Sequence, residues 1–184
     1  MNLGKSIAGV QIKPSFKVWW NRYFLKIEIK ANNLIHDAML IEDIYKFLSE
    51  HTWHEIKFAW NKKFTIYLSD VYVSKKFINQ FHKYIDNAQG IRTQEEFDVV
   101  TSRDKILRHK LYFDKYRYVM HKYYPDSKWT NKVKNLSMNA KVRAYSNGWK
   151  TAVYLGNKKD VAKLQLSLGS NKQEVYKVIT LEEL

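Results

Sequence analysis

Residues 23–30 alternate between apolar and polar positions. Tyr23, Leu25, Ile27 and Ile29 interleave with Phe24, Lys26, Glu28 and Lys30, the period of a half-buried strand. The pattern then changes to three- and four-residue steps through Ile35, Ala38, Ile41, Tyr45 and Leu48, which predicts a helix that Asn33 can cap. Two further alternating runs, His54/Ile56/Phe58 and Phe64/Ile66/Leu68, read as strands joined through Asn61-Lys62. Asp70 or Ser74 opens a second helix with Phe77, Ile78, Phe81, Tyr84 and Ile85 on its apolar face, and Phe97–Val100 is the candidate closing strand.

The second half gives the same order. A first strand falls in residues 106–123, and Asp126 or Ser127 caps a helix marked by Trp129, Val133 and Leu136. Val142–Tyr145 and Ala152–Leu155 flank Asn147-Gly148, a strong hairpin signal. Asn157 opens a helix through Val161, Leu164 and Leu168 that ends at Gly169, although Leu164-Leu166-Leu168 also alternates as a strand would; Val175–Ile179 is the last strand. Short motifs repeat as well. Trp20-Asn21-Arg22-Tyr23 answers Phe113-Asp114-Lys115-Tyr116, and Phe64–Asp70 answers Thr151–Asn157. The expectation is an α+β protein of two tandem ferredoxin-like units, each β-α-β-β-α-β, covering residues 1–92 and 93–184 with the joint inside Gln89–Lys105.

Charge narrows the functional classes. The 184 residues carry 32 Lys and Arg against 18 Asp and Glu, a formal charge of +14 that favours polyanionic partners. Arg103–Lys150 is the most basic stretch, with Asp104, Asp114 and Asp126 as its acids. The absence of cysteine excludes disulfides, thiolate nucleophiles and cysteine-based zinc sites, and fits a cytoplasmic protein. No apolar run approaches the roughly 20 residues of a membrane span, and the N-terminus lacks the apolar core of a secretory signal, so no membrane partner is expected.

In the expected topology the helices cover one sheet face and leave the other open. Alternation then puts Phe24, Lys26, Lys57 and Tyr67 on the open face of the first unit, and Arg117, Lys141, Arg143, Tyr145 and Tyr154 on that of the second. Aromatic rings interleaved with cations suit single-stranded RNA or DNA, because bases stack on rings while cations hold phosphates. The alternative is that these faces bind a protein, as a virion component, host-factor inhibitor or homo-oligomer would. Neither Lys63–Ser69 nor Lys150–Gly156 contains the third-strand motif of RNA-recognition domains. Lys128, Lys132 and Lys134 offer further phosphate contacts, with a solvated helix face as the plainer reading.

Catalytic and metal signatures are absent. There is no phosphate-binding Gly-x-x-x-x-Gly-Lys loop, no Gly-x-Ser-x-Gly elbow and no His-Glu-x-x-His helix. His51 and His54 lack a third ligand, so no metal and no cofactor are expected. The architecture is similar to that of tandem ferredoxin-like CRISPR RNA endonucleases. That resemblance implies a catalytic role for His36, but Leu168-Gly169-Ser170-Asn171 supplies one glycine where that group has a glycine-rich loop. Leu111–Tyr118, Val153–Asp160 and Tyr176–Ile179 resemble small uncharacterised proteins of tailed bacteriophages. The resemblance covers the second half, carries no catalytic residue and implies a viral setting in a host cytoplasm.

Overall fold

The computed structural model describes residues 2–20, 22–30, 38–51, 54–59, 63–139, 142–146, 149–169 and 174–184. Asn33, Ile35, His36, Asn61-Lys62, Lys141, Asn147-Gly148 and Ser170-Asn171 lie outside the described residues. The chain is a mixed α+β structure of two compact units, Met1–Thr101 and Ser102–Leu184.

In the first unit, β1 (Ser6–Ile7) and β2 (Val10–Pro14) precede β3 (Leu25–Lys30), α1 (Ala38–Ser49), β4 (His54–Ala59), β5 (Lys63–Leu68), α2 (Val71–Phe81), β6 (Ile85–Gly90) and α3 (Gln94–Thr101). The sheet order is β1-β2-β6-β3-β5-β4. The second unit runs β7 (Lys105–Arg108), β8 (Tyr118–Tyr123), α4 (Ser127–Asn139), β9 (Val142–Ser146), β10 (Lys150–Leu155), α5 (Lys158–Leu168) and β11 (Val175–Thr180), in the order β7-β11-β8-β10-β9. Within each sheet, the four strands of the β-α-β-β-α-β segment stand in the order last, first, third, second. An entering strand joins the outer edge of the last one in parallel, β2 on β6 and β7 on β11.

The first core lies on the helix side. Leu25, Ile27 and Ile29 of β3 pair with Leu68, Ile66 and Phe64 of β5, and all six are buried under Leu40, Ile44, Phe47 and Leu48 of α1 and Phe77, Ile78 and Phe81 of α2. Asp70 caps α2, its Oδ1 accepting from the Val73 amide at 2.8 Å. A smaller core in the second unit gathers Met120, Trp129, Val133, Val153, Leu155 and Leu164. Asp126 and Asn157 cap its helices, accepting from the Trp129 amide at 2.7 Å and the Asp160 amide at 3.0 Å.

Several expectations are corrected. The closing strand of the first unit is Ile85–Gly90, and Phe97–Val100 belongs to α3. Helix α1 buries Leu40, Ile44, Phe47 and Leu48, while Tyr45 is exposed, so its apolar face is rotated from the predicted one. Residues 106–123 hold two strands separated by a turn, because Tyr112 folds back to bridge Tyr116. Leu164 is buried and Leu166 exposed within α5, which removes the strand alternative there. The division between units falls after Thr101 because α3 packs Phe97 and Val100 on the first core, and the Arg92 guanidinium and amide both bond Glu96.

Candidate nucleic-acid interface

The sheet faces turned away from the helices are not both open. Ahead of β3 the chain closes a tight turn in which the amides of Arg22 and Tyr23 donate to the Trp19 carbonyl, at 3.0 and 2.9 Å. Ahead of β8 the amides of Lys115 and Tyr116 donate to the Tyr112 carbonyl in the same way, at 3.2 and 2.9 Å. Each turn lays rings over a tyrosine of the third strand. Trp19, Trp20 and Tyr23 surround Tyr67 at ring-centroid distances of 5.8, 4.7 and 6.4 Å. Tyr112, Phe113 and Tyr116 surround Tyr154 at 4.7, 5.2 and 6.3 Å. The repeated sequence motifs therefore meet as a repeated aromatic clasp.

The clasps change the reading of the predicted site. Tyr67 is 9% exposed, so its ring is covered, and Tyr154 is half-buried beneath its own clasp. Phe24 belongs to the first core at 5% exposure and not to the open face. Lys26 is engaged by Glu28, which also accepts from Asn87 Nδ2 at 3.4 Å, so this face of the first sheet carries internally paired polar groups. Arg117 pairs with Glu183, whose carboxyl is held below its ordinary value, first by the Thr180 amide and then by Arg117. Lys57 lies on β4, Arg143 on β9 opposite Tyr154, and Lys141 outside the described residues. Tyr145 alone among the predicted rings stands well out, at 62% exposure.

What the register does bring together lies at the other end of the β8–β10 ladder, away from the clasp. Directly paired residues of antiparallel strands share a face. The pairs Tyr123–Lys150, His121–Ala152 and Ala152–Tyr145 therefore put His121, Tyr123, Tyr145 and Lys150 on one surface. Tyr123 stacks on Trp149 at 5.8 Å, both about half exposed, and the Lys150 ammonium lies 5.1 Å from the Tyr123 ring centroid. Tyr176 of β11 reaches the same surface, its ring 5.9 Å from His121. The Tyr176 hydroxyl donates to Glu174 Oε2 at 2.6 Å, which with burial pushes its pKa up to about 12. No protein-family model matches the chain, and no curated protein matches it.

Burial, and then the neighbouring Lys150, lower the pKa of His121, so the imidazole is neutral at pH 7. Two other histidines have plainer roles: His51 Nδ1 lies 2.7 Å from the Phe47 carbonyl with its ring stacked on Phe47, and His82 Nδ1 lies 3.0 Å from the Asn79 carbonyl. Among the described residues no cluster of His, Asp or Glu side chains is arranged to hold a metal ion, and no helix is long and apolar enough to cross a membrane.

The sequence reading missed Tyr123, Trp149, His121 and Tyr176. Trp149 follows the Asn147-Gly148 turn signal directly, and His121 and Tyr123 share the parity of Val119, so both signals were present. It also missed that Lys132 is spent inside the fold, where Nζ donates to the Ser167 carbonyl at 2.8 Å.

Proposed function

We propose that the protein binds single-stranded nucleic acid, without catalysis, on the clasp-free end of the second sheet. The observation that carries this reading is the Tyr123–Trp149 stack with Lys150 against it and Tyr145 exposed on the same surface. Stacked rings give bases an apolar platform, and an ammonium beside them gives the phosphate a counter-charge. The strand order of each unit supports reading both as ferredoxin-like domains, in which the helices cover one sheet face. The formal charge of +14 adds a long-range attraction for polyanions.

Fluorescence anisotropy against single-stranded RNA, single-stranded DNA and duplex DNA across a salt series tests this. Single strands are expected to bind at roughly micromolar Kd or tighter, ahead of duplex, with affinity falling steeply as salt rises. Tyr145→Ala and Trp149→Ala should each weaken binding by about 5- to 100-fold, the range of one lost stacking contact. Equal affinity for duplex, or indifference to both substitutions, removes this reading. Loss of self-association in the same variants would point to a protein-binding face instead.

The position of His121 gives the binding a pH dependence of known sign. Facing it are Tyr123 on its own strand, Lys150 from β10, Tyr145 from β9, and Tyr176 with its bonded Glu174 from β11. In the free protein the His121 pKa lies below its ordinary value. A bound phosphate raises it, so binding takes up a proton and tightens as pH falls through the interval between the two values. Affinity measured at constant ionic strength from pH 7.5 to about 5.5 should rise in the wild type and stay level in His121→Gln. An identical profile in the two proteins would remove His121 from the ligand's surroundings.

A further inference from the structure

The two clasps contain more than covering the sheet requires. Their inner rings do the covering, since Tyr23 and Tyr116 are each 5% exposed. The outer rings also pack on the third-strand tyrosine, Trp20 at 4.7 Å from Tyr67 and Phe113 at 5.2 Å from Tyr154, and still leave about half of their surface open, at 53% and 46% exposure. Both outer residues also sit in the left-handed backbone region, at φ 50° and φ 51°, where a large side chain costs free energy and glycine does not. A glycine at either position would make the same turn more cheaply, and both copies of the motif carry a large aromatic instead. Backbone strain of this kind is held by the surrounding packing and is found often at functional sites; Asp114, at φ 58°, shares it in the second clasp.

A cation lies over the inner ring of each clasp, two residues along the chain from the outer ring. The Arg22 guanidinium lies 5.4 Å from the Tyr23 ring centroid, and the Lys115 ammonium 5.1 Å from that of Tyr116. The next position shows no such matching, since buried Phe24 answers half-buried Arg117. Charge complementarity favours an anionic occupant in both units. Residues 15–24 contain Lys17 and Arg22 and no carboxylate. Residues 105–117 contain Lys105, Arg108, Lys110, Lys115 and Arg117, of which Lys110 engages Asp114 at 3.1 Å and Arg117 pairs with Glu183. In the first unit Lys17 and Arg22 also line a groove of about 470 Å³ with Phe16, Val18, Phe97 and Val100. That volume lies within the range of small-molecule sites and admits one nucleotide.

We propose that each clasp is a nucleotide station, taking a base against Trp20 or Phe113 and its phosphate on Arg22 or Lys115. The chain then carries two equivalent stations, one per unit, besides the clasp-free surface of the second sheet. This inference rests on the single-strand reading above but on a separate set of residues, so the two can fail independently.

The test is binding of a labelled single-stranded oligouridylate, with photo-crosslinking from incorporated thiouridine mapped by mass spectrometry. Trp20→Gly and Phe113→Gly remove the ring and relieve the left-handed backbone. Each should weaken binding about tenfold, and the pair about a hundredfold. Arg22→Gln with Lys115→Gln removes the charges and leaves the rings, and should weaken binding comparably; this pair carries the test if the glycine variants fail to fold. Crosslinks are expected within residues 15–24 and 105–117. Unchanged affinity in the double glutamine variant, or crosslinks confined to other segments, would overturn the proposal. Loss of binding on Tyr145→Ala with Trp149→Ala alone would leave the sheet surface as the site and the clasps as covers. The reverse pattern would move the site to the clasps, and no binding by the wild type would end both readings.

Discussion

Glu96→Ala is expected to destabilise the first unit by about 3–5 kcal/mol, the cost of leaving the partner of a buried ion pair behind. Glu96 is 2% exposed and accepts from the Arg92 amide at 2.7 Å and from Arg92 Nε at 2.8 Å, with Nη2 closing the fork. Its own amide donates to Thr93 Oγ1 at 3.2 Å, so the Thr93 side chain caps the start of α3 while the Glu96 side chain holds the strap that leads into it. That strap ties down the N-terminal segment as well, because the Arg92 carbonyl accepts from the amides of Leu3 at 2.9 Å and Gly4 at 3.0 Å. Alanine would leave the largely buried guanidinium and one amide without their acceptor. Glu96→Gln retains an acceptor and should lose about 1–3 kcal/mol. Urea unfolding checks both, and amide exchange at Leu3 and Gly4 should accelerate in the alanine variant. A change below about 0.5 kcal/mol would mean that the ion pair contributes no more than an exposed one.

Phe77→Ala should cost a similar amount, about 3–5 kcal/mol, through the cavity left by a fully buried ring. Phe77 on α2 is 0% exposed, with Phe47 of α1 at 5.4 Å and Phe81 at 4.7 Å between ring centroids. It therefore joins the two helices above the sheet, and no single neighbour can fill the gap. Because the chain forms two compact units, the loss should appear as an earlier unfolding transition for residues of the first, with exchange-protected amides of β8 and β10 unaffected. A single transition displaced for the whole chain would show instead that the units unfold together.

Much of this architecture was legible in the sequence wherever large apolar residues alternate. β3, β5 and β9–β11 follow such runs, and the caps at Asp70, Asp126 and Asn157 announce themselves as short polar side chains before helical periods. β6 escaped because Ile85–Gly90 reads as polar: its two buried positions are Ala88 and Gly90, too small to register as a hydrophobic pattern. Smallness is the requirement there. A Cβ on Gly90 would come within 2.9 Å of Leu25 Cδ1 and 3.0 Å of the Phe24 carbonyl oxygen. The apolar run at Phe97–Val100 then took the place of the missed strand, although Glu95 and Glu96 in front of it are the acidic first turn of a helix.

The candidate site was less legible. Alternation places Tyr67 and Tyr154 on the non-helix face, but it is silent about a preceding segment that folds back to cover them. That segment depends on left-handed conformations at Trp20 and Phe113, which no propensity for aromatic residues foretells. The repeat itself was visible in the sequence; its meaning as a clasp required the third-strand tyrosine and the turn to be seen together.

The parallel pairing of an entering strand with the last strand sets the order in which each unit can form. Ile12 must wait for Ala88, and Ile106 for Val178, so almost the whole unit has to leave the ribosome before its outer edge closes. Contacts this distant in sequence slow folding, and in the interval β6 and β11 present an unpaired edge to other chains. During synthesis the first unit closes its edge while the second is still emerging, which keeps two similar sheets from being unfinished, and open to exchanging strands, at the same moment.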